Sequence, residues 1–262
     1  MPTALITGAS SGIGEAFAKA LAERQTDLVL VARSQDKLET LARELRDRHA
    51  VRAEVIVCDL SEPDGPSRIF NTVQTLGLAI DTLINNAGFG DYGSFVENSR
   101  EKQLDMIRVN VLSLTDLTYQ FLPLMQQRGV GEIINLSSIA GFQPMPYLAV
   151  YAATKAFVLS FSEALWGENK DTGVKVLAVC PGPTKTQFFD VAGFNPFKNA
   201  KEAAKQSTSP EWVVRESLKA LERGESHLVT GGVANHLITT VPRFLPREML
   251  VRAIEQQFRP RE

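Results

Sequence analysis

Only two cysteines, Cys58 and Cys180, occur in 262 residues, and each closes an apolar, strand-like run. Thiols so few and so placed give no disulfide framework and fit a reducing compartment. The chain also lacks any apolar run of the roughly 20 residues that a membrane helix requires. Its first strand-like run starts at Thr3, so no signal peptide is expected. A soluble, cytoplasmic protein is expected. Charge of one sign is missing as well. A formal net charge of −2 gives no electrostatic footprint for a nucleic-acid partner. No composition break, low-complexity linker or internal repeat beyond a strand–helix unit divides the chain, and no metal centre is expected.

What is present is a core-forming composition, 44 % hydrophobic and 22 % charged, arranged in alternation. Short apolar runs at 4–6, 28–31, 54–57, 82–84, 132–136, 175–179 and 227–229 read as strands. Between them, helical patterns cover about 12–24, 35–49, 64–76, 100–127, 151–169 and 210–223. Strands apolar throughout, separated by helices, indicate a parallel sheet covered on both faces. The fold class is therefore α/β. One doubly wound domain over 1–262 is expected, with a seven-stranded parallel sheet flanked by helices.

The first strand–helix turn reads Thr7-Gly8-Ala9-Ser10-Ser11-Gly12-Ile13-Gly14. Glycines there let the backbone turn tightly and approach a ligand, and the helix N-terminus that follows favours a pyrophosphate. The second strand ends Leu30-Val31-Ala32-Arg33-Ser34, without the acid that commonly holds a ribose 2′-hydroxyl. A carboxylate would repel a 2′-phosphate, whereas an arginine can hold one through charge-assisted bonds. NADP(H) contacted by Arg33 is thus expected over NAD(H). Asp59, after the third strand, suits either an adenine amino group or a turn cap. Asn85-Asn86-Ala87-Gly88 either lies along a bound ribose or is a plain turn. Asn110 sits among apolar neighbours and must find partners. Further on, Tyr151 and Lys155 stand one helical turn apart, so they share a face. An ammonium beside the phenol favours the phenolate and lowers a pKa that starts near ~10.

Taken with Ser137-Ser138 after the fifth strand and with Pro181-Gly182, these motifs resemble the short-chain dehydrogenase/reductase family. The likeness spans about residues 3 to 190 and points to the single-domain branch that includes ketoacyl reductases and hydroxysteroid dehydrogenases. The family's glycine spacing matches Gly8, Gly12 and Gly14. The resemblance implies a catalytic serine at Ser138, with Ser137 the alternative, a catalytic Tyr151 and Lys155, and a helix Asn110 that holds a proton-relay water. It implies NADP(H) against Gly8, Ser10, Gly12, Ile13, Gly14, Arg33, Asp59, Leu60, Asn86, Ala87, Gly88, Tyr151 and Lys155. The nicotinamide end would lie near Pro181, Gly182, Thr184 and Thr186. NADP-preferring relatives often carry a basic residue where this chain has Ser11, which leaves Arg33 as the main support. The implied reaction is hydride transfer between nicotinamide and a carbonyl or hydroxyl carbon, with reduction the expected direction. A non-catalytic NADP-binding regulator on the same fold is the alternative.

Phe188, Phe189, Phe194 and Phe197 crowd a Gly/Pro-punctuated loop at about 187–207. Such a loop leaves the carboxyl end of a strand, where ligands bind. It reads as a lid over a small apolar ketone or alcohol, or as aromatics packing the loop down. An amphipathic extension follows at about 233–262. There Leu237, Ile238, Val241, Phe244, Leu245, Leu250 and Ile254 alternate with Arg243, Arg247, Arg252 and Arg259, and Pro242 and Pro246 break it. Packing on its own domain or a partner subunit is expected, with a membrane surface the alternative. The resemblance also implies a homodimer or homotetramer paired through the helices at about 100–127 and 151–169.

Overall fold

The computed structural model describes residues 1–193 and 207–260. Its strands are β1 (Thr3–Thr7), β2 (Asp27–Ala32), β3 (Ala53–Val57), β4 (Thr82–Asn85), β5 (Gly131–Leu136), β6 (Val174–Cys180) and β7 (His227–Val229). All pair parallel, in the order β3-β2-β1-β4-β5-β6-β7. The order reverses between β1 and β4, so a crevice opens there at the carboxyl ends of the strands.

The strands form because their residues alternate between two apolar layers. Ala4 and Ile6 of β1 join one core with Phe17 and Leu21 of α1 (Gly12–Glu23), Leu38 and Leu41 of α2 (Gln35–His49), and Val213 and Leu218 of α8 (Pro210–Glu222). Leu5 faces the other way, toward Ile69 of α3 (Gly65–Thr75) and Leu117 and Phe121 of α5 (Leu114–Arg128). Both faces are covered, as a parallel sheet requires.

The long helical pattern at about 100–127 is not one regular helix. It is α4 (Arg100–Ile107), a widened π-turn (Arg108–Ser113), and then α5. Pro123 lies within α5. The π-turn carries two polar groups inward. Asn110 reaches the loop after β4, and the Ser113 hydroxyl donates to Leu60 O at 2.6 Å. After β5 a short 3₁₀ turn (Ile139–Phe142) leads toward α6 (Ala149–Glu168).

A single turn, α7 (Phe188–Val191), follows β6. Phe194 and Phe197 of the expected lid lie outside the described residues. The carboxyl-terminal extension is broken where its prolines stand. It comprises α9 (Val233–Thr240), a 3₁₀ turn (Val241–Phe244) and α10 (Arg247–Phe258). Among the described residues, no helix is long and apolar enough to cross a membrane.

Candidate active site

The glycine turn is shaped by contacts no side chain could survive. Gly8 has φ +66°, and a Cβ there would stand 2.8 Å from Asn86 Nδ2; Gly14 would place one 2.3 Å from Gly8 O. The first helical turn therefore settles directly onto the end of β1. Ser11 precedes α1 without a side-chain cap bond. The helix's first N–H groups stay available to an anion.

Asn86 is spoken for within the protein. Its Nδ2 donates to Thr7 O at 2.9 Å and Gly8 O at 3.2 Å, while Thr7 Oγ1 accepts from the N–H groups of Asn86 and Ala87. It pins β4 to the glycine turn. Ala87 and Gly88 line the cavity beside it.

At the far end of the cavity stand Arg33, Ser34 and Lys37. Arg33 is 77 % exposed and lies 3.8 Å from Asp59 Oδ2. Asp59 also accepts from Ser61 N and Ser61 Oγ at 2.9 and 2.8 Å, the turn-cap alternative. Burial raises the Asp59 pKa, but the Ser61 bonds and Arg33 outweigh it and hold the carboxyl below its usual value. Lys37 was not anticipated from the sequence. Its signal was its place in the first turn of α2, four residues after Arg33.

Above the crevice, the loop after β6 turns at Pro181-Gly182. A Cβ on Gly182 would come within 1.9 Å of Asn235 Nδ2, and one on Gly12 within 3.0 Å of Thr186. The loop thus folds against the glycine turn on one side and α9 on the other. Asn235 was also unforeseen; it donates to Thr230 O at 2.6 Å and lines the cavity. Thr184 Oγ1 is turned back to Gly182 O at 2.9 Å.

The two serines after β5 have different duties. Ser137 Oγ donates to Lys155 O at 2.7 Å and so fastens α6 to the sheet. Ser138 lines the cavity with Tyr151; its Oγ accepts from Ala140 N at 3.1 Å, and its hydroxyl draws the Tyr151 pKa downward. Lys155 Nζ donates to Leu136 O at 2.6 Å and lies 5.8 Å from the centre of the Tyr151 ring. A Cβ on Gly88 would meet Asn110 Oδ1 at 2.9 Å and Lys155 Nζ at 3.3 Å, so that position must stay bare. Asn110 is buried behind this group. Its amide exchanges bonds with Phe89 N and O and donates to Thr154 Oγ1 at 3.1 Å. In the structure it braces the loop after β4 against α6.

The family model for short chain dehydrogenases matches residues 2–193. The chain belongs to this family. A very-long-chain 3-oxoacyl-CoA reductase of Mus musculus is 33 % identical over 260 residues, covering 96 % of this chain and 78 % of that protein. A short-chain dehydrogenase from Sphingobium yanoikuyae, solved in complex with NADPH, superposes with a TM-score of 0.81 at 34 % identity. That match covers 98 % of this chain and 94 % of the other. A bulky-bulky ketone specific alcohol dehydrogenase from Comamonas testosteroni gives 0.78 at 31 % identity, over 93 % and 92 % of the two chains.

In this short-chain dehydrogenase, burial governs the electrostatics of the tyrosine–lysine pair. It pushes the Tyr151 phenol up to about 12, against a smaller downward pull from the Ser138 hydrogen bond. Burial also pulls the Lys155 ammonium down to about 8. A Tyr151 lowered by Lys155, expected from their spacing alone, is therefore not what the protein chain produces. The ammonium is turned toward Leu136 O, and loss of water dominates the phenol. At neutral pH Tyr151 holds its proton.

The cavity measures about 1350 Å³, and beyond Tyr151 its lining is mainly apolar, with Gln143, Gln187 and Gln257 among it. Phe188 lies with its ring centre 5.2 Å from that of Tyr151, and Phe189 meets Phe188 edge-on at 5.9 Å. Leu250, Ile254 and Phe258 of α10 complete the wall. Two phenols clasp that helix. Tyr92 Oη donates to Phe258 O at 2.6 Å, and Tyr147 Oη donates to Glu255 Oε1 at 2.8 Å. The extension's apolar spacing was legible; its place in the cavity wall was not.

Proposed function

We propose that this chain is an NADP(H)-dependent oxidoreductase acting between the carbonyl and hydroxyl forms of an apolar ketone, in the reductive direction. The observation that carries the reading is the convergence of Ser138, Tyr151 and Lys155 on one wall of a cavity whose far side is mainly apolar. The residues present fit the dinucleotide. Bare glycines floor the turn before α1, the first N–H groups of α1 are open to a pyrophosphate, and Arg33 and Lys37 stand where a 2′-phosphate needs cations. Bound there, NADPH would supply the hydride.

The protein's own part is to orient and to move a proton. The Ser138 hydroxyl donates to the substrate oxygen and stabilises the negative charge that develops on it. Tyr151, protonated at neutral pH, delivers its proton to that oxygen. Lys155, its ammonium held on Leu136 O beside the phenol, would hydrogen-bond the nicotinamide ribose hydroxyls. Phe188, Leu250, Ile254 and Phe258 exclude water and receive the apolar body of the substrate. The relatives' names agree with such substrates, since they concern long-chain acyl thioesters and bulky ketones. A homodimer or homotetramer through α5 and α6 belongs to the same proposal; exposed Leu112, Tyr119 and Phe157 support it.

NADPH consumption should be followed against ketones, aldehydes and ketoacyl thioesters, with NADH as the control cofactor and Tyr151→Phe run alongside. The parent should favour bulky apolar carbonyls, and the variant should lose about 10³-fold in kcat. Turnover that survives the variant, or a preference for small polar carbonyls, would overturn the reading. Tight NADPH binding without turnover of any compound would point to a non-catalytic NADP-binding protein instead.

A further inference from the structure

The outer face of the carboxyl-terminal segment is left unexplained by a cavity wall. Its inner face packs around Ile254, whereas α9 and the turn after it turn apolar side chains outward. Leu237 is 56 % exposed and Phe244 82 %, and Ile238, Val241, Leu245 and Met249 are exposed too. α9 contains no Asp, Glu, Lys or Arg. Leu237, Ile238 and Val241 are at once exposed and part of the cavity lining, so this apolar surface runs into the cavity's mouth.

Charge gives the patch a direction. Residues 233–262 hold five arginines against three glutamates, in a chain whose net charge is −2. Arg247 and Arg252 are exposed and enter no ion pair among the described residues, whereas Glu255 is held by Arg259 and Tyr147. Glu248 is the acid that opposes them. Apolar groups flanked by free guanidinium groups suit a lipid interface, with the former entering the acyl region and the latter meeting phosphates. A second copy of the chain suits the patch less well. In a two-fold pair the same surface meets itself, which brings unpaired arginines toward one another.

We propose that this face docks on an anionic lipid surface, with the cavity mouth turned toward the bilayer. An apolar carbonyl compound dissolved in the lipid would then enter between α9 and α10 without crossing water.

The test is co-sedimentation of the full chain with phosphatidylcholine vesicles, with and without phosphatidylserine, at low and raised salt. A Phe244→Glu/Met249→Glu variant is compared, and light scattering without lipid is recorded for both proteins. Neither residue lines the cavity, so thermal unfolding and NADPH binding report whether the variant is intact. The parent should partition to anionic vesicles about tenfold more strongly than the variant, and salt should weaken its binding. Absence of binding, binding indifferent to lipid charge and salt, or binding kept by the variant would overturn the proposal. So would a parent oligomer that the variant dissolves, since the patch would then join two chains. Vesicle binding requires no turnover, so its failure is distinguishable from failure of the reductase reading.

Discussion

Arg33, Lys37 and Lys155 show how one charge can serve recognition at the surface and chemistry in the interior. The Arg33 guanidinium keeps most of its hydration and only brushes Asp59, so it can turn to a phosphate at small cost. Replacing it with alanine should weaken NADPH binding by about 10- to 100-fold while leaving NADH nearly unchanged, as a lost charge-assisted contact predicts. Titration of both cofactors into parent and variant checks this; equal losses for the two would remove the 2′-phosphate from the account. Lys155 is the buried counterpart. Its folded pKa of about 8 lies below the ordinary 10.5. Between those values the unfolded chain binds more protons at this site, so its contribution makes stability rise with pH across that window. Measured by urea unfolding, the parent should gain about 2–3 kcal/mol relative to Lys155→Met between pH 8 and 10.5. A difference that stays flat, or falls, would mean that the ammonium is not desolvated as described.

At the scale of elements, α10 decides the shape of the cavity. It is held by its apolar face and by Tyr92 and Tyr147, with Tyr147 in a left-handed conformation at φ +66°. Such a backbone is uncommon for a bulky residue. Here Gly93 N donates to Tyr147 O at 2.9 Å and Glu255 takes the phenol, which fixes it from both ends. Ile254→Ala removes a side chain packed in the same cluster as Tyr151 and Phe188. It should cost about 2–4 kcal/mol and leave a void on the substrate side. KM for a bulky apolar ketone should rise while NADPH affinity holds, because the dinucleotide residues lie across the crevice. Calorimetry and steady-state kinetics on one preparation check both halves. The π-turn between α4 and α5 is the other decisive element. It was hidden in the sequence because a widened turn preserves the apolar rhythm on either side and costs only local hydrogen bonds.

For the whole molecule, one face of α5 and α6 remains apolar. Tyr119 is 78 % exposed, and Leu112 on the adjoining π-turn and Phe157 on α6 are exposed with it. Phe157 stacks on Phe161 with ring centres 5.6 Å apart, which makes a flat aromatic surface. A Leu112→Glu/Tyr119→Glu variant should run as a monomer in light scattering where the parent runs as a dimer or tetramer. A parent that is itself monomeric would remove the assembly from the account.

The sequence by itself determined the layered parallel sheet, the glycine turn before α1, the cation at the end of β2 and the tyrosine–lysine pair. Each rests on spacing along the chain: apolar runs of strand length, glycines where a Cβ cannot fit, and two side chains one helical turn apart. Only the tertiary structure decided which serine fastens α6 to the sheet and which lines the cavity with its hydroxyl. The two candidates are adjacent, and their division depends on which one β5 turns toward the backbone of α6. It likewise settled that Asn86 and Asn110 bond to backbone within the protein, that Asn235 buttresses the loop at Gly182, and that α10 closes the cavity. The protonation of Tyr151 belongs with these. A helix places an ammonium near a phenol, but the loss of water around both comes from chain segments far away in sequence, and for the phenol that desolvation outweighs the pull of Ser138.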